Sequence, residues 1–241
     1  MRSTLRILAD RLVTASILLI GLASAGIAAA DTIALIGTGR VAGALGPQFA
    51  KQGHTIIYGS REPDRADVQE LLARTGPNAS VAGQAQAAAA ADIVVIAVPG
   101  AVAVDVTRSL GNLAGKIILD PTNITAAHED GFRMHAVETS NAELIQAAAP
   151  GAHVVKAFNT LNYRTMEDPS SAGGPVTIPI AGDDADAKRR VAALAEGMGF
   201  EAIDVGPLRF AHTLEEMLVI WVNARQLGTP YDYHLRRQPA P

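Results

Sequence analysis

The stretch that most limits the folds open to this chain is Thr32 to Arg61, which begins TIALIGTGRVAG and closes TIIYGSR. Thr32–Ile36 is an apolar, β-branched run of the kind that forms a buried parallel strand. Gly37-Thr38-Gly39-Arg40-Val41-Ala42 follows at once and matches G-x-G-x-x-G/A. Val41, Leu45 and Phe49 then fall at helical spacing, and residues 54–58 form a second apolar strand. A strand, a glycine-rich turn, a helix and a strand within about 30 residues are the setting that a dinucleotide-binding fingerprint requires. Gly37 allows the tight turn, Gly39 lets a pyrophosphate approach the backbone, and Ala42 lets the helix pack close to the sheet. The helix N-terminus offers free N–H groups and a positive dipole end to the phosphates. The expected class is α/β: a Rossmann-type, doubly wound, mostly parallel sheet with a small C-terminal α/β portion.

The end of the second strand selects the dinucleotide. An NAD site usually places Asp or Glu there, about 20 residues past the first glycine, to bind the ribose 2′-hydroxyl. Gly59-Ser60-Arg61 stands there instead. A hydroxyl and a guanidinium suit a 2′-phosphate, which a carboxylate would repel. Arg40, in the phosphate loop, offers a second positive charge. The competing reading leaves Arg61 solvated and gives the ribose to Glu62. NADP(H) is expected over NAD.

Composition narrows the partners. The 241 residues are 49% hydrophobic and 18% charged, an ordinary globular balance for one or two domains. The net charge is −4 with no long basic run, which argues against nucleic acid as a partner. The lack of cysteine excludes disulfides, thiolate metal sites and a cysteine nucleophile. Arg2, Arg6 and Arg11 precede an apolar stretch over residues 12–30 that ends in small residues. This reads as a secretory signal peptide cleaved after Ala30, and so as an exported protein, periplasmic or secreted. The alternative is an uncleaved membrane anchor through residues 12–30. Export sits uneasily with NADPH, a cytoplasmic metabolite. The expected organisation is an NADP-binding domain over 31–165, a C-terminal portion of the same fold unit over 166–229, and a polar, disordered tail over 230–241.

Past the fingerprint, helices are expected over 63–74, 84–91 and 102–110, with strands over 79–82, 92–98 and 116–119. An irregular segment runs to Thr139; its His128, Glu129, Asp130 and His135 lack a metal-binding spacing. A helix over 141–148, a strand over 154–158 and a loop over 166–175 follow. A strand over 176–181, a helix to Gly197, a strand over 201–205 and a last helix over about 206–227 complete the chain. In that helix Leu214, Met217, Leu218, Trp221 and Val222 form an apolar stripe, which reads as core or as the contact of a homodimer. Gly46-Pro47 lies inside the first helix, where proline removes a backbone donor, so a kink is expected.

The later motifs carry a resemblance. IGTGRVAGAL (36–45), YGSR (58–61), AVPG (97–100), LDPTN (119–123), VVKAFNT (154–160), IAGDDADAK (180–188) and GFEAIDVGPLR (199–209) stand in one order. In this the chain resembles the F-420-dependent NADP oxidoreductases of archaea and bacteria. It is also similar to the cytoplasmic oxidoreductase domains of the six-transmembrane metalloreductases. The resemblance implies a Rossmann-type domain using NADPH. It implies that Thr38 and Arg40 lie in the phosphate loop, and Ser60 and Arg61 at the 2′-phosphate. Val98 and Pro99 would line the middle of the cofactor, and Asn123, Ala157, Phe158 and Asn159 would approach the nicotinamide end. The family often carries an aromatic where Gly100 stands.

The expected reaction is direct hydride transfer between NADP(H) and a deazaflavin (coenzyme F-420) or a flavin (FMN or FAD), with no obligatory acid, base or metal. The alternatives are an NADP-dependent imine or carbonyl reductase, with Lys156 or His153 as proton donor, and an NADP-binding module without turnover. For Lys156 a structural role is equally consistent with its alternation in the strand.

Overall fold

Apolar runs without a polar face pair in parallel sheets covered on both sides, and this chain supplies one after another. A computed structural model describes residues 30–229 and 232–238. The leader expected over 1–30 lies outside the described residues apart from Ala30, as do the remaining positions of the tail. Strand β1 (Thr32–Ile36) leads through helix α1 (Arg40–Lys51) to β2 (Thr55–Ser60), and α2 (Ala66–Thr75) leads on to β3 (Ala79–Gly83). Helix α3 (Gln84–Ala90) returns the chain to β4 (Ile93–Ile96), which pairs with the free side of β1. Helix α4 (Gly100–Ser109), β5 (Ile117–Asp120), α5 (Asn141–Ala148) and β8 (His153–Lys156) extend the sheet outward. Strands β9 (Thr177–Gly182) and β10 (Glu201–Gly206), joined by α7 (Ala185–Gly197), finish it, in the order β10-β9-β8-β5-β4-β1-β2-β3. All pairs are parallel except β8 with β9.

Alternation along β1 divides the core. Ile33 and Leu35 join one buried cluster with Leu45 and Phe49 of α1, while Ala34 and Ile36 join another with α3 and α5. Among the described residues no helix is long and apolar enough to cross a membrane.

Four segments depart from expectation. The stretch after β5 holds an antiparallel hairpin, β6 (Thr125–Ala127) with β7 (Arg133–His135). Its three-residue strands are too short to show a period. The segment expected as a loop over 166–175 overlaps helix α6 (Tyr163–Glu167) and contains a 3-10 turn (Pro169–Ala172). Residues 232–238 of the tail are tied back: Thr177 N–H donates to the Leu235 carbonyl at 2.8 Å, and Asn162 Nδ2 to Asp232 at 2.6 Å. The last helix, α8 (Ala211–Gln226), starts later than expected, after a 3-10 turn at Leu208–Phe210.

Helix α1 runs through Pro47 as one element. Proline has no N–H for the carbonyl of Gly43, and Arg74 of α2 takes that place, with Nη2 3.0 Å from the Gly43 oxygen. Its Nη1 pairs with Glu167 of α6 at 3.0 Å. We expect Arg74→Met to destabilise the fold by about 1–2 kcal/mol, the cost of a buried acceptor left alone. Pro47→Ala, which restores the helix's own donor, should shrink that loss to well under half. Urea denaturation of the four proteins of this cycle checks the link, and equal losses in both backgrounds would refute it.

Candidate functional site

Strand order reverses at β1, which pairs with β2 on one side and β4 on the other. Ligands of open parallel sheets bind outside the strands' carboxyl ends at such a switch point. The turn there is sterically fixed. Gly37 has φ 108° and donates its N–H to the Gly59 carbonyl at 2.9 Å, and a Cβ would lie 2.5 Å from the Ala97 carbonyl oxygen. Gly39 caps α1 without any side-chain hydrogen bond, and the first turn of the helix holds no acid. Nothing lies within 4 Å of where its Cβ would be, so a side chain would fill the space that an anion needs to reach the backbone. Buried Ala42 and half-buried Val41 hold the helix against the sheet.

At the end of β2, Ser60 is 5% exposed and its Oγ accepts the Glu62 N–H at 3.1 Å. Arg61 is exposed. Arg65, at the N-cap of α2, donates from Nε and Nη2 to Asp67 at 2.5 and 3.0 Å, and from Nη2 to Thr38 Oγ1 at 3.3 Å. That bonding holds the Asp67 carboxyl below the usual carboxylate range and raises Arg65 above its own. Thr38, Ser60, Arg61 and Arg65 therefore gather at the ends of β1 and β2. Sequence reasoning missed Arg65; its signal was a second arginine four positions past Arg61, where the next helix starts. Arg40 opens α1 directly after Gly39. Its guanidinium lies 5.4 Å from the ring centre of Tyr163 on α6. A groove of about 480 Å³ opens beside it, lined by Thr38, Arg40, Asp67, Glu70, Arg74 and Tyr163 among others.

On the other half of the crevice, Pro99 is exposed at the start of α4 and Val98 half-buried beside it. Asn123 and Asn159 lock together: Asn123 Nδ2 donates to the Asn159 carbonyl at 3.0 Å, and Asn159 Nδ2 to Asn123 Oδ1 at 2.9 Å. Asn159 Nδ2 also reaches the Leu214 carbonyl of α8 at 2.7 Å. Ala157 and Phe158 correct the expectation, because both are 0% exposed. Phe158 alone among described non-glycine residues has a positive φ, 65°. Its ring packs edge-on against Phe49 and Phe200 in the core, so it offers no surface to a cofactor.

Lys156 is also fully buried. Its Nζ donates to Asp120 at 2.9 Å, to Glu215 at 2.7 Å and to the Thr122 carbonyl. An ammonium with three donors and three acceptors has no proton to offer a substrate. The other carboxylate oxygen of Glu215 lies 3.0 Å from His135 Nε2, on the hairpin. Glu215 was hidden from sequence reasoning inside the apolar stripe of the last helix.

Known proteins are similar to this chain. The family model described as NADP oxidoreductase, coenzyme F-420-dependent, matches residues 32–124. The F-420-dependent NADP reductase of Methanothermobacter thermautotrophicus is 29% identical over 206 residues, 79% of this chain and 88% of that one. The metalloreductase STEAP3 of Rattus norvegicus is 29% identical over 187 residues, 77% of this chain, and the chain spans only 36% of that protein's length. A crystal structure of a putative F-420-dependent NADP reductase from Arthrobacter sp. FB24 superposes with a TM-score of 0.77. It is 33% identical, and the match covers 86% of this chain and all of that one.

Removing the Lys156 ammonium would leave two buried carboxylates without their shared cation. Lys156→Met is expected to cost about 3–5 kcal/mol of stability, read by urea denaturation, and a near-neutral effect would show that the carboxylates are not both ionised there.

Proposed function

The chain belongs to the coenzyme F-420-dependent NADP oxidoreductase family, and on that premise we propose that it passes a hydride between NADP(H) and a planar deazaflavin or flavin acceptor. The observation that carries this reading is the set Thr38, Ser60, Arg61 and Arg65 beside the uncapped N-terminus of α1. The residues present fit the dinucleotide: a bare Gly39 and free N–H groups for the pyrophosphate, and two guanidiniums and two hydroxyls for the 2′-phosphate. When bound, NADPH supplies the hydride from its nicotinamide ring. The protein's part is to bind, to orient and to keep water away. Asn123, held by Asn159, and Pro99 edge the half of the crevice where the acceptor would stack. The proton that completes reduction of the acceptor comes from solvent on this reading. Lys156 supports it by exclusion, since an imine or carbonyl reductase would want a proton donor there and this ammonium is occupied. The export and the homodimer expected from the sequence remain part of the proposal, to be read from the mature N-terminus and from the mass of the protein in solution.

Two measurements test the function. Arg61→Ala and Arg65→Ala are each expected to weaken NADPH about 10- to 150-fold, the loss of one charge-assisted contact, and to leave NADH nearly unchanged; equal weakening of both would refute the 2′-phosphate assignment. With NADPH deuterated at the transferred C4 position and coenzyme F-420 as acceptor, the label should appear in the reduced deazaflavin. The receiving atom is carbon, so the label is retained, and its loss to solvent would defeat direct transfer.

A further inference from the structure

Glu215 lies on a helix that the dinucleotide fingerprint does not include, yet every loop on the acceptor side of the crevice leads to it. We infer that Glu215 is the positioning residue of the nicotinamide subsite; this deepens, and rests on, the NADP(H) reading above. The carboxylate is fully buried. It accepts the N–H of Asn141 at 2.9 and 3.1 Å and faces that of Ala142 at 3.4 Å. An anion from this chain thus occupies the N-terminus of α5, where the unpaired N–H groups and the dipole favour it. The same carboxylate takes Lys156 Nζ at 2.7 Å and His135 Nε2 at 3.0 Å. His135 Nδ1 faces the Val137 carbonyl at 2.7 Å, so both ring nitrogens meet acceptors.

From this anchor three short chains of bonds reach the crevice. Asn141, fixed through its backbone N–H, donates from Nδ2 to Thr122 Oγ1 at 2.6 Å and to the Gly100 carbonyl at 3.1 Å. Lys156 donates to the Thr122 carbonyl, next to Asn123. Leu214, beside Glu215, accepts Asn159 Nδ2 at 2.7 Å. The loops that follow β4 and β5 are therefore hung on one carboxylate, and the loop that follows β8 on the backbone carbonyl beside it. The adenine half of the site, around Thr38, Ser60 and Arg65, has no bond to it. A subsite held by a buried, fully bonded shell loses its geometry when the shell is loosened, although the fold survives.

The test separates the two halves. The full chain is titrated at equilibrium with NADPH and with 2′-phospho-ADP-ribose, which lacks the nicotinamide. Glu215→Gln keeps the side chain's shape and leaves Asp120 and Lys156 balanced. It is expected to weaken NADPH about 10-fold while 2′-phospho-ADP-ribose stays within about 2-fold. If that variant does not fold, His135→Gln, which withdraws one of the bonds to Glu215, should give the same one-sided pattern at about 3-fold. Equal changes for both ligands, no change for either, or a loss confined to 2′-phospho-ADP-ribose would overturn the inference. A wild-type chain that binds the two ligands equally would overturn it alone, and one that binds neither would remove the NADP(H) reading with it.

Discussion

The turn from β1 into α1 is where the geometry of the whole sheet is decided. β1 is the strand with neighbours from both halves of the fold, β2 and β4. At its end the backbone must turn with a positive φ at Gly37 while the Ala97 carbonyl stands 2.5 Å from the place of a Cβ. Only glycine meets both demands, the first through its freedom in that region and the second through its lack of a side chain. The turn aims α1 so that its N-terminus opens into the crevice, and Leu45 and Phe49 then seal one face of the core. A larger residue at position 37 would shift β4 as well as the turn, because the obstructing oxygen belongs to the segment that follows β4.

Helix α1 meets a second constraint with help from outside itself. A mid-helix proline would ordinarily leave a carbonyl unbonded and bend the element. Here Arg74 crosses from α2 to bond that carbonyl, and its other nitrogen pairs with α6. The helix that follows the glycine turn is thereby fastened to α2, and through Arg74 to α6, at the point where it is weakest. Glu167 is half exposed, so the ion pair itself contributes little; the bond to Gly43 is the one that the fold needs.

What could be read from the sequence was local. The strand, turn, helix and strand over 32–61 announce themselves through short-range pattern, and so does the Ser60-Arg61 strand end. Arg65 needed only a turn of reasoning more, since the start of α2 opens on the same crevice as the end of β2. The Lys156 site was beyond reach for a different reason. Its partners stand 36 and 59 positions away, and Glu215 is set among Leu214, Met217 and Leu218 in what looks like a plain apolar face. Alternation placed Lys156 correctly on a strand and could not say which carboxylates would meet it. Phe158 misled because its motif position suggested contact with a ligand, whereas one backbone angle turns the ring into the core. The hairpin strands, TAA and RMH, are too brief to betray themselves.

The element order places α8 after β8, β9 and β10, and this sets the order in which the parts of the molecule can form during synthesis. The chain leaves the sheet at β10 and must return along α8 before Glu215 meets Lys156 and before Asn223 bonds the hairpin at Arg133. A nascent chain that has emerged as far as β5 already holds the glycine turn, the second strand end and Arg65. Until some sixty residues beyond Lys156 have left the ribosome, that lysine has only one of its two carboxylates. The half of the crevice around Thr38, Ser60 and Arg65 is thus complete early, and the half around Asn123 and Asn159 waits for α8.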